Sequence, residues 1–152
     1  MRNRIGNARR PVVTAIGVAA LLCGTLASAA GLPAVQSQNG VAYLTGGVGA
    51  GSAHAIQAEA RHWPLTMEFA VKDKPVDSYL ANVQVQVVDA RQHVVLDTVS
   101  DGPFLLARLA PGRYEIKATF DGKTLDHPLQ LRAGQTAHQT FLWPHADIGA
   151  AG

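Results

Sequence analysis

The chain has 152 residues with 13 basic, 11 acidic and six histidine side chains, a formal net charge of +2. Four of the basic residues, Arg2, Arg4, Arg9 and Arg10, precede the uncharged apolar run from Pro11 to Ala30, so nine bases face 11 acids downstream and that part carries −2. With those nine scattered in sequence, the composition excludes the clustered cationic face that a nucleic acid or an anionic membrane requires, and the single cysteine, Cys23, lies in the apolar run and leaves no disulfide or thiol chemistry beyond it.

In chain order, the arginine-rich start, the apolar run and the small-residue site Ala27-Ser28-Ala29 predict a secretory signal peptide over residues 1–29, cleaved after Ala29. The run is long enough to span a bilayer, but its Ala, Gly and Thr content and the closing cleavage site point to removal rather than anchoring, with no membrane insertion afterwards. The 123 residues that follow have single-domain length and must fold on their core alone. Residues 30–51 are rich in Gly, Ala and Gln and predict a flexible leader with one edge strand around Val41 to Leu44. Residues 52–143 predict the folded domain and residues 144–152 a flexible tail.

From Ser52, as N-cap, to Trp63, Ala53, Ile56, Ala60 and Trp63 recur at helical spacing, which places all four on one face. Pro64 ends the helix by forcing its predecessor out of the helical region. Leu65, Met67, Phe69 and Val71 then open a series of period-two runs broken by turns about every ten residues, the pattern of an antiparallel sandwich. Arg113 to Phe120 sends Tyr114, Ile116, Ala118 and Phe120 to one face, and Asp121-Gly122 predicts a two-residue hairpin. That turn pairs Phe120 with Lys123, Ala118 with Leu125, Ile116 with His127 and Tyr114 with Leu129. A second, three-residue turn at Arg132-Ala133-Gly134 would pair Leu129 with Ala137 and Leu125 with Phe141, since a two-residue loop there would turn Phe141 outward.

The chemistry-bearing residues do not assemble into a catalytic or metal constellation on this reading. The hairpin registers send His127 inward, opposite Gln139, and His138 outward. His54 and His62 lie eight residues apart, roughly 80° around a helix and two turns along it, too far to share an ion. The glycine run Gly46 to Gly51 lacks the third glycine of a dinucleotide loop, because residue 52 is serine, and no parallel βαβ unit follows. Ser52, Ser78 and Ser100 stand outside any nucleophile elbow. Asp97, Asp101 and Asp121 sit in or beside turns, where their side chains bond the backbone. No catalytic residue, cofactor or metal is therefore predicted.

The stretch Tyr79 to Trp143 resembles the carboxypeptidase regulatory-like domain, a prealbumin (transthyretin)-like β-sandwich. The resemblance rests on Leu80-Ala81-Asn82-Val83-Gln84-Val85, on Asp101-Gly102-Pro103-Phe104-Leu105-Leu106, and above all on Leu109-Ala110-Pro111-Gly112-Arg113-Tyr114-Glu115-Ile116, similar to that family's L-x-P-G-x-Y-x-I turn and strand. It implies a mostly β fold, an antiparallel seven-stranded prealbumin-like sandwich, here preceded by one short α-helix. The sequence departs from the family at Gln92, where glycine is usual, and at the front, where the helix is added. The hydroxyisourate hydrolases on the same fold end in a Tyr-Arg-Gly-Ser tail that this chain lacks, so the resemblance implies a module without catalysis. With its leader and helix, the chain is similar to small periplasmic proteins of Gram-negative bacteria. Two partner classes follow: an unidentified periplasmic protein, or an envelope glycan bound on exposed rings drawn from Trp63, Trp143, Tyr43 and Tyr79. The added helix either covers the sandwich or docks a protein through Trp63, with Gln57 and Arg61 as its polar rim.

Overall fold

The computed structural model describes residues 31–145 and Ile148, so the segment expected to be a signal peptide and most of the expected tail lie outside the described residues. Alternating apolar residues bounded by turns produce ten strands, and the alanine-rich segment one helix: β1 (Gln36–Gln38), β2 (Val41–Gly46), α1 (Ala50–Ala60), β3 (Leu65–Val71), β4 (Ser78–Tyr79), β5 (Val83–Asp89), β6 (Val94–Ser100), β7 (Phe104–Ala107), β8 (Gly112–Phe120), β9 (Lys123–Leu131) and β10 (Ala137–Trp143). One sheet has the order β1-β2-β7-β3-β10, with β4 also paired to β3, and the other has the order β6-β5-β8-β9. The described residues are mostly β with one helix, but they form ten strands rather than seven. The first sheet is mixed, because β10 runs parallel to β3 from Ala137↔Leu65 to Trp143↔Val71.

The β8–β9 hairpin has the register expected from Asp121-Gly122, from Phe120↔Lys123 through Tyr114↔Leu129. Asp121 and Gly122 take φ of 48° and 75°, the doubly left-handed turn whose twist matches the strands. Asn39-Gly40 repeats the device, with φ of 50° and 78°, and joins β1 to β2. Gln92, at the position where glycine is usual, takes φ 63°. Its turn is held by Asp89 instead, whose Oδ1 accepts the backbone N–H groups of Arg91 at 2.8 Å and His93 at 2.9 Å.

Two further expectations change. The segment 36–46 is not a leader with an edge strand but a hairpin whose second strand is buried on both faces, with Leu44 and Thr45 enclosed. Its first strand reaches the other sheet through Gln38, whose Nε2 donates to the Asp97 carbonyl at 2.9 Å while its Oε1 accepts the Asp97 N–H at 2.6 Å. A side-chain amide there completes a backbone ladder. β10 does not turn back on β9. After the Arg132–Gly134 turn, in which Gly134 does take the left-handed φ of 73°, the chain arches across to the opposite sheet. Phe141 and Trp143 still face inward, because alternation decides which face of a strand is buried and not which layer receives it.

Two apolar clusters result. The larger lies between the sheets, built from Leu65, Met67, Phe69 and Phe141 on one side and Val85, Val87, Ile116 and Leu129 on the other. The smaller lies on the outer face of the first sheet, where Leu44, Phe104 and Leu106 meet Ile56 and Trp63. A sheet buried on both faces needs strands apolar on both faces, and Leu105-Leu106 in β7 supply them. The helix that closes the outer face begins earlier and ends sooner than expected. Gly49 is its N-cap at φ 87° and Ser52 makes no cap, since the first helical bond runs from the Ala53 N–H to the Gly49 carbonyl. Before it, Gly47 has no room for a side chain, because a Cβ would stand 2.5 Å from the Phe104 ring.

Candidate functional site

Three connections converge at the end of the sheets where β3 and β10 begin. The C-terminal end of α1 delivers Arg61, its C-cap residue, and then His62 and Trp63 before Pro64. The exit of β7 delivers Arg108, and the arch between β9 and β10 delivers Arg132. Together they line a cleft of about 360 Å³, with apolar walls from Pro64, Leu109, Pro111 and Leu131. The cations are thus scattered in sequence yet gathered in space, at separations of 47 and 24 residues.

Each side chain is set by its neighbours. Trp63 is 2% exposed and packs into the outer cluster beneath α1, and its Nε1–H donates to Glu59 Oε1 at 3.1 Å. The Arg108 guanidinium lies over the indole, Cζ 4.3 Å from the ring centroid, and donates one N–H to the His62 carbonyl at 3.3 Å. The Arg61 Nε–H donates to His62 Nε2 at 3.2 Å, which requires that nitrogen to be the unprotonated one. Among the described residues no carboxylate lies within ion-pair distance of Arg61, Arg108 or Arg132; the three pairs present are His93–Asp89, Lys117–Glu115 and His138–Glu68. The cleft thus gathers three permanent cations with apolar walls, none neutralised by an ion pair among the described residues.

Of the residues expected to dock a partner, Arg61 and Trp63 belong to this cleft. Gln57 is exposed on α1 but lies outside it. Trp63 contributes as a buried wall, not as a projecting anchor. Arg108 and Arg132 were not singled out from the sequence. The available signal was topological: each of the three arginines directly follows the last residue of an element, α1, β7 or β9.

Elsewhere several titratable groups are engaged in the fold. His127 stacks on Phe141 at 4.1 Å with Nδ1 3.3 Å from Gln139 Oε1, while His138 points outward to Glu68 at 3.1 Å. Among the described residues no three His, Cys, Asp or Glu side chains converge as a metal site. Ser100 Oγ is buried against Thr45 and the Gly102 carbonyl, and Ser78 Oγ donates to Asp73. The Asp73 carboxyl is held below its ordinary value by the Lys74 N–H and Ser78. A larger depression of about 540 Å³ on the second sheet includes Asp89, Glu115 and Asp126. There Asp89 is committed to its turn, its carboxyl held down chiefly by the His93 N–H.

No family model and no curated protein matches this sequence. The functional reading therefore rests on the geometry of the cleft.

Proposed function

We propose that the chain is an exported, non-catalytic β-sandwich module of the prealbumin-like, carboxypeptidase regulatory-like kind, acting in the periplasm by binding a protein partner. The observation that carries this reading is the arginine-lined cleft beside Trp63. A concave surface with apolar walls and unneutralised cations is built for recognition. Catalysis would need a nucleophile beside a base or a positioned acid–base pair, whereas Ser100 is held in buried hydrogen bonds and Asp73 and Asp89 are committed to their turns. Export is supported by the arginine-rich start, the apolar run and the Ala27-Ser28-Ala29 site.

The glycan alternative is weaker. A sugar platform needs exposed rings, and Trp63, Trp143 and Tyr43 are all buried. Tyr79 alone of the four is open, 55% exposed, and it leans on Phe104 at 5.5 Å.

The test is cross-linking of the tagged mature chain in periplasmic extract, identification of the captured protein and reconstitution of the pair from purified components. The wild-type chain should bind at least about tenfold more tightly than a double variant Arg108→Glu, Arg132→Glu. Equal binding by the two, or binding to an envelope glycan that needs neither arginine, would overturn the proposal.

A further inference from the structure

Three guanidiniums around one cleft repel one another and gain from an anion that bridges them. Arg108 uses one N–H on the His62 carbonyl and Arg61 uses its Nε–H on His62. A guanidinium has five N–H donors, so most of those on both residues stay open to a ligand. The Arg132 side chain makes no hydrogen bond or ion pair among the described residues. The rest of the lining combines apolar residues, among them Pro64, Leu109 and Pro111, with Gln135 and Thr136.

These features restrict the class of anion. The chain beyond the apolar run carries −2, so an extended polyanion such as a nucleic acid or an anionic bilayer would meet a repulsive molecule outside one small cationic region. At about 360 Å³ the cleft has the size of a small-ligand pocket, room for a few side chains. A lone inorganic anion would use the arginines and leave the apolar walls wet. A short peptide in which carboxylates flank an aliphatic side chain would use both.

On the reading of the chain as a partner-binding module, we propose that the cleft is the receptor for an acidic segment of the protein partner. Its carboxylates sit on Arg61, Arg108 and Arg132, and an aliphatic side chain between them packs against Pro64 and Pro111.

The test is titration of the purified mature chain by NMR, following the indole N–H of Trp63. Trp143 serves as the internal control, because its indole N–H is bonded to the Lys123 carbonyl at the opposite end of the sheets. The probe is the capped hexapeptide Glu-Leu-Glu-Glu-Leu-Glu, compared with Gln-Leu-Gln-Gln-Leu-Gln, inorganic phosphate and phosphatidylglycerol vesicles. The acidic peptide should shift the Trp63 signal and leave that of Trp143 in place, with at least about tenfold higher affinity than the glutamine peptide. Arg108→Gln and, separately, Arg132→Gln should each weaken it severalfold. Arg132 has no hydrogen bond, ion pair or ring contact with Trp63 among the described residues, so its variant keeps the test decisive if Arg108→Gln disturbs the indole. Equal affinity for the two peptides, indifference to both arginine variants, or a stronger Trp63 response to phosphate or vesicles would overturn the inference. Arginine-dependent capture of a reconstituted partner without binding of the acidic peptide would overturn this inference alone and leave the binding-module reading standing.

Discussion

Replacing Trp63 by alanine separates a core residue from a docking anchor, and the structure sets the magnitude. The side chain is enclosed by Leu44, Ile56, Phe104 and Leu106. An indole buries roughly 150–250 Å², which at about 25 cal/mol per Å² corresponds to roughly 4–6 kcal/mol of transfer free energy. Alanine keeps part of that burial and α1 can settle toward the sheet, so the expected loss is about 3–5 kcal/mol. For a domain of this size the melting temperature should fall by roughly 10–25 °C. The assay is urea denaturation followed by far-ultraviolet circular dichroism, since the substitution removes one of two tryptophans. An unchanged m-value would show that the same surface is exposed on unfolding. Trp63→Phe keeps a ring on the Ile56 side and loses the N–H bond to Glu59, so it should cost about 1–2 kcal/mol. A Trp63→Ala protein within about 1 kcal/mol of wild type would refute the reasoning and return the indole to the surface.

Tyr114 donates to the Ala110 carbonyl at 2.7 Å across the Pro111-Gly112 turn. Tyr114→Phe should therefore lose about 0.5–1.5 kcal/mol by urea titration, against under about 0.5 kcal/mol for the outward Arg113→Ala; equal losses would deny the hydrogen bond its role. The Asp89 carboxyl lies below its ordinary 3.8 because the N–H of His93, and secondarily that of Arg91, favours its ionised form. The stability this adds is complete above the unfolded value of 3.8 and is lost as pH falls through the lower folded value. The melting-temperature gap between wild type and Asp89→Asn should accordingly narrow from pH 6 to pH 2, and a constant gap would contradict the assignment. N-terminal sequencing of the exported protein should begin at or near Ala30 or Gly31, whereas an intact Met1 in a membrane fraction would contradict cleavage.

The parts of this fold that were legible in sequence are those decided locally. Asp121-Gly122 allows one loop length, and that loop sets every pair from Phe120↔Lys123 to Tyr114↔Leu129. The inward alternation of Phe69, Ile116 and Phe141 was likewise readable, since each sits at its place in a period of two. The destination of β10 was not. A hairpin onto β9 and an arch to β3 both bury Phe141, and the partner chosen lies 72 residues earlier, at Ala137↔Leu65. The 36–46 hairpin was hidden for a related reason: its glycine-rich setting suggested looseness, while its stability comes from β7, through pairs such as Leu44↔Leu106. The candidate site was half legible. Arg61 and Trp63 were visible on one helical segment, but Arg108 and Arg132 join them only once the ends of β7 and β9 are known to share a pole.

That shared pole also joins the two roles considered for the helix. The outer face of the first sheet needs a cover, and α1 supplies it through Ile56 and, just beyond its last turn, Trp63. Pro64 then fixes where the helical segment must end, and the arginine preceding this buried tryptophan by two positions arrives at the mouth of the cleft. Covering is thus performed by the indole, and on the proposed reading recognition would fall to the cations around it. The three cations are not equivalent. Arg61 caps the helix C-terminus, where the negative end of the dipole already stabilises a positive charge, and Arg108 gains from the indole beneath it. Arg132, on the arch, has neither source of compensation. On the proposed reading, an incoming carboxylate would replace little at Arg132, and in free-energy terms that side chain would have the most to gain from such a ligand.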